Sequence, residues 1–187
     1  MHGYFLMRRA QLLVGALLLA GGSTLSNANA WATEANQAAS EAERNKQVVG
    51  AAFDRWSAGG STFFSEILSP DIVWTIEGSG PSAGTYRGLA DFTARAITPF
   101  VSRLREPVRP VSKRIWADGE HVIIHWEGEG VARDGRSYRN SYAWIFRMAD
   151  GRAVEATAFL DLSPYDDVIR RIPASAQPPG ALPDHPR

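Results

Sequence analysis

Cysteine is absent from all 187 residues, which excludes disulfides, thiolate metal sites and a thiol nucleophile. Charge of neither sign is in excess, since 20 Lys and Arg stand against 20 Asp and Glu. A nucleic-acid-binding protein would show a basic stripe, so no nucleic-acid partner is expected. Histidine is scarce, with four scattered residues, and no dedicated metal site is expected. Long apolar runs are lacking too. The nearest approach, Ala10 to Ala20, is too short to span a bilayer comfortably. The glycines of 78–84 (GSGPSAG) lack the phosphate-loop spacing and its lysine, which rules out nucleotide binding of that kind.

What is present begins with an export pattern. Arg8 and Arg9 precede the Ala10–Ala20 core, and Ala28-Asn29-Ala30 supplies a small-x-small cleavage site. These features predict a signal peptide over 1–30 and a mature chain starting near Trp31. The mature chain is expected in the periplasm or outside the cell, with no membrane association after cleavage. Residues 31–44 read as a leader, either mobile or the first turns of a helix. Residues 45–172 read as one folded domain. The Pro-rich tail, 173–187, is expected to be disordered.

Within the domain, Val49, Ala52, Phe53 and Trp56 fall at helical spacing, and Gly59-Gly60 stops the helix. Phe63 to Leu68 make a short helical piece ended by Ser69-Pro70. Asp71–Glu77 reads as a strand and 78–84 as a loop. Gly88–Leu104 reads as a helix that Pro99 should kink. Three Asp-Gly pairs follow, at 118–119, 134–135 and 150–151, each 16 residues after the last. Such pairs between apolar alternating runs signal hairpins. They predict a four-strand antiparallel meander over 107–117, 120–132, 136–148 and 152–162, with Gly128 and Gly130 as places to bend. Ser163 is expected to cap a closing helix that reaches about Arg171.

Hairpin geometry assigns faces. If Asp134-Gly135 is a two-residue turn, Glu129 faces Asn140, Glu127 faces Tyr142 and His125 faces Trp144, all on one side of the sheet. The last turn is open to two registers. One sets Asp161 beside Asn140. The other turns Asp161 to the reverse face by Arg139 and brings Ala156, Ala158 and Leu160 onto the Tyr142–Trp144 face. The row Asn140, Tyr142, Trp144 mixes aromatic bulk with sparse polar groups, as small-molecule sites do, and Trp74 and Trp126 are candidates for the same aromatic cavity.

The element order, the segment VWTIEGSGPSAGTYRGLADF (73–92) and the ending DGRAVEATAFLD (150–161) resemble the nuclear transport factor 2-like superfamily. More narrowly, the chain is similar to the SnoaL-like (polyketide cyclase and ketosteroid-isomerase-like) branch over about 45–162. The resemblance implies an α+β fold: a cone-shaped, curved mixed β-sheet packed on N-terminal helices, also called a cystatin-like roll, with a pocket at its open end. It implies chemistry without a cofactor. The cyclase motif G-[KR]-I-x-E-x5-D is met by Gly151, Arg152, Glu155 and Asp161, with Ala153 in place of Ile, so the resemblance makes Asp161 the acid/base candidate. His125, mid-strand, is a proton-transfer candidate beside a structural reading. The two ketosteroid-isomerase acids would fall near Thr75 and Trp144, so that chemistry is not expected. Three functions follow as expectations: a pocket protein binding a small, largely apolar ligand; a lyase, isomerase or cyclase working through Asp161; and a homodimer formed through the outer sheet face.

Overall fold

The structure, a computed structural model, describes residues 22–173. The expected signal segment before Gly22 and the expected tail from 174 lie outside the described residues. The chain divides into two units, Met1–Asn36 and Gln37–Arg187. Over its described residues the first is helical and exposes Trp31. The second holds the sheet and the helices packed on it.

Helix α1 (Gly22–Ser57) buries Ala42, Asn45, Val49, Ala52 and Phe53, a stripe at three- and four-residue spacing. It continues back through the expected leader. Gly60 donates its N–H to the Arg55 carbonyl just beyond the helix end. Helix α2 (Phe63–Ile67) follows, and β1 (Leu68–Ile76) starts at once, so Ser69-Pro70 opens a strand rather than only ending a helix. After a loop comes β2 (Gly84–Arg87), a short hairpin partner of β1 that its four residues hid in the sequence.

The expected single helix over 88–104 is three pieces: α3 (Leu89–Phe92), a π-helical turn (Thr93–Ile97) and α4 (Thr98–Val101). Pro99 has no N–H to give, and the disturbance appears as the widened turn just before it rather than as a simple kink.

The meander is present as β3 (Leu104–Asp118), β4 (His121–Ala132), β5 (Ser137–Ala149) and β6 (Arg152–Leu160). Sheet order is β2-β1-β6-β5-β4-β3, with β1 parallel to β6 and every other pair antiparallel. This is the expected mixed sheet behind N-terminal helices. Its bends come from β3, where three extra residues against β4 form bulges. Gly128 and Gly130 lie opposite that region for another reason. A Cβ on Gly128 would meet Trp126 and Val108 at 2.7 Å, and one on Gly130 would meet the Glu106 carbonyl at 3.0 Å. They permit close approach by the bulged neighbour.

One register corrects the expectation, and the other decides between the two left open for the last hairpin. The middle hairpin turns through Arg133-Asp134-Gly135, with Gly135 at φ 85° and the Asp134 carboxylate accepting the Arg136 N–H at 3.1 Å. The extra loop residue shifts the ladder by one. Trp126 therefore faces Tyr142, Ile124 faces Trp144 and Gly128 faces Asn140, while His125, Glu127 and Glu129 turn to the opposite side. The last hairpin is a two-residue turn, Asp150-Gly151, with both residues at positive φ (49° and 75°). A bulge at Val154 then moves the register, so Ala156 faces Phe146, Ala158 faces Trp144 and Leu160 faces Tyr142. Helix α5 (Leu162–Arg171) closes the domain.

Candidate functional site

The inner sheet face and the helices enclose an aromatic cluster with a cavity of about 100 Å³ in it. Strands supply Trp74, Trp126, Tyr142 and Trp144; α1 supplies Trp56; α3, the π turn and α4 supply Phe92, Ile97 and Phe100. Trp74 stacks on Phe92 (4.3 Å, 17°) and meets Trp144 edge-on (5.2 Å, 82°). Trp126 stacks on Tyr142 (4.0 Å, 8°), and Trp56 on Trp144 (6.2 Å, 11°). Such pairs contribute about 0.5–1.5 kcal/mol each beyond the area they bury, so the walls are held stiffly. The space exists because β6 offers Ala158, a single methyl group, opposite Trp144. Val101, half exposed, marks the rim.

Three of the expected binding residues, Trp74, Tyr142 and Trp144, line this cavity. Asn140 shares their face but stands beside the cavity, buried, in a polar chain. Its amide donates to the Tyr138 hydroxyl (2.8 Å) and to the Asp161 carbonyl (2.8 Å), and its oxygen accepts the Asp161 N–H (3.1 Å). Tyr138 and Tyr142 share a hydroxyl hydrogen bond of 2.7 Å.

Asp161 and Asn140 are thus brought together, but through the Asp161 backbone. The Asp161 carboxylate is exposed and caps α5, accepting the Ser163 N–H at 2.9 Å, the role expected of Ser163. The chain leaves the sheet at Leu160, so the side chain never turns inward. His125 lies on the outer face, exposed, with Nε2 3.0 Å from the Ser141 hydroxyl. The one-residue ladder shift separates it from Trp144. Glu129 pairs with Arg139 at 3.3 Å on that same outer side.

Among the described residues, no carboxylate or imidazole lines the cavity. Its ionisable groups are phenols, and burial makes them weak acids. The Tyr142 and Tyr165 hydroxyls are held well above the usual phenol range, and that of Tyr138, next to the cavity, is pushed up to about 12 by burial against its hydrogen bonds from Asn140 and with Tyr142. At neutral pH they are hydrogen-bond donors and not bases. Tyr165 donates to the Ala96 carbonyl at 3.1 Å, inside the π turn. Tyr138, Phe64 and Tyr165 went unremarked as site residues in the sequence; Tyr138 alternates in step with Asn140 and Tyr142, which is the signal that finds it.

The model of the SnoaL-like domain matches residues 49–156. Among solved structures, the chain is similar to Bal32a, from a soil-derived mobile gene cassette, at 19% identity over 70% of this chain and 99% of that one, with a TM-score of 0.58. It is similar to a cystatin-like-fold protein from Xanthomonas campestris at 21% identity, covering 67% and 96%, TM-score 0.55. A protein described as a SnoaL-like polyketide cyclase from Jannaschia sp. CCS1 aligns at 20% identity, covering 70% and 94%, TM-score 0.51. At these identities the likeness carries the fold. No curated protein matches the sequence.

Proposed function

Because the chain belongs to the SnoaL-like domain family, a family on a fold that houses a pocket, we propose that it binds a small, largely apolar molecule and performs no acid–base chemistry on it. The observation that carries this reading is the cavity wall: among the described residues it is aromatic and aliphatic throughout, with no carboxylate or imidazole. Size narrows the guest. Drug-sized ligands take pockets of about 300–1,000 Å³, and a dry apolar cavity of about 150 Å³ takes benzene. A cavity of about 100 Å³ leaves room for one ring at most and none for a fused polycycle. Titration with toluene, followed by tryptophan fluorescence, tests it. Saturable quenching is expected from a wall of four tryptophans; a linear, non-saturating response would remove the ligand.

Two further parts of the proposal rest on other observations. Export rests on the 1–30 pattern, and N-terminal sequencing of protein recovered outside the cytoplasm should begin near Trp31. Self-association rests on the outer sheet face. There Trp116 on β3 and Ile123 on β4 are exposed in one row with Ile145, and Phe159 on β6 is exposed beside Ala143 of β5. Arg114, His125 and Glu127 lie on that face too, so both signs of charge are available for a two-fold contact between identical patches.

A further inference from the structure

The walls of the cavity hold more hydrogen-bond donors than the protein satisfies. The indole nitrogens of Trp74 and Trp126 are buried and meet no acceptor. The polar chain beside them has a direction. Asn140 is fully used, since both hydrogens of its amide and its oxygen are engaged by Tyr138 and by the Asp161 backbone. Its amide therefore donates into the Tyr138 oxygen. If Tyr138 passes its own hydrogen to Tyr142, the hydrogen left over belongs to Tyr142, which lines the cavity. The opposite direction strands a hydrogen on Tyr138, which does not line it and is 2% exposed. A buried donor without a partner is costly, so the first direction is favoured once a guest supplies an acceptor.

Resting on the small-ligand reading above, we infer that the guest is a neutral, one-ring carbonyl compound whose oxygen accepts a hydrogen bond from the Tyr142 hydroxyl, with Asn140 and Tyr138 orienting that donor. A carboxylate would bring an unpaired charge among aromatic rings, where desolvation opposes it. A pure hydrocarbon would leave every one of these donors unmet. The neutral state of the phenol follows from its burial, which holds its pKa well above the usual value.

The test uses a matched pair, cyclohexanone and methylenecyclohexane, which differ by an oxygen in place of a CH2. Calorimetry measures both on the native chain and on Tyr142→Phe, and infrared difference spectra record the carbonyl stretch of the bound ketone on the native chain. A red-shifted carbonyl is expected, with ketone affinity reduced about five-fold by Tyr142→Phe and alkene affinity unchanged within two-fold, the scale of one neutral hydrogen bond. If neither compound binds the native chain, the small-ligand reading fails and this inference with it. If both bind, and the carbonyl is unshifted or the variant weakens both alike, only the assignment to Tyr142 is overturned. The spectrum needs no variant, so a misfolded Tyr142→Phe leaves the test intact.

Discussion

Ala158 stands across the β5–β6 ladder from Trp144, and its methyl group is what leaves the cavity open. Ala158→Leu should fill the space. Toluene binding is expected to vanish while the far-ultraviolet spectrum stays native, and retained binding with unchanged affinity would place the guest elsewhere. Asp161 works at the same scale by a different route. As the cap of α5 it satisfies one orphan N–H, so Asp161→Ala should cost about 1 kcal/mol in urea unfolding while Asp161→Asn, which can still cap, should cost less than half of that. An Asp161→Ala chain as stable as the native one would contradict the cap. The sequence marked Asp161 through a motif match, but a motif records spacing along the chain. Whether a side chain at the end of a strand turns inward depends on where the strand stops, and β6 stops one residue earlier.

Among the elements, the two hairpins that flank β5 decide which residues meet. The alternation within each strand was legible, because Val, Ile, Trp and Tyr at every second position mark a half-buried ladder. The relative shift between strands was not. Asp-Gly fits both a two-residue turn and a three-residue loop ending in a glycine at positive φ, and local propensity hardly separates them. The bulge at Val154 is less visible still, since nothing in Arg152-Ala153-Val154-Glu155 differs from ordinary strand sequence. Gly128 shows how such a position announces itself. It reads as a bend, yet its neighbours are the rings of Trp126 and Tyr142 and the side chain of Val108. Gly128→Ala is expected to lower stability by about 1–3 kcal/mol through overpacking, read as a lower denaturant midpoint with an unchanged slope. A neutral result would show that the rings yield freely and that the wall is softer than its stacking implies.

For the molecule as a whole, the α+β order of helices, strand, helix and meander was readable, and the family resemblance implied a mixed sheet, but the parallel β1–β6 pairing itself was not legible, because no local pattern encodes contact between strands more than 80 residues apart. Two global properties follow from the finished fold. Four tyrosines, at 86, 138, 142 and 165, have hydroxyls pushed above the usual 10.0, chiefly by burial. The unfolded chain loses these protons near 10 and the folded chain holds them to about 12 at Tyr138, so stability is complete below 10 and falls as pH rises from there. Phenolate absorbance should therefore rise together with loss of structure; a separate, earlier rise near 10 from these residues would contradict their burial. The outer face predicts a dimer in sedimentation that Trp116→Lys with Phe159→Lys converts to monomer, and a native chain already monomeric at high concentration would remove that contact. The most direct measurement of all is a crystal structure of the native chain soaked with bromobenzene. A bromine anomalous peak is expected among Trp56, Trp74 and Trp144. A well-ordered crystal with those rings closed onto one another and no peak between them would contradict the small-ligand reading.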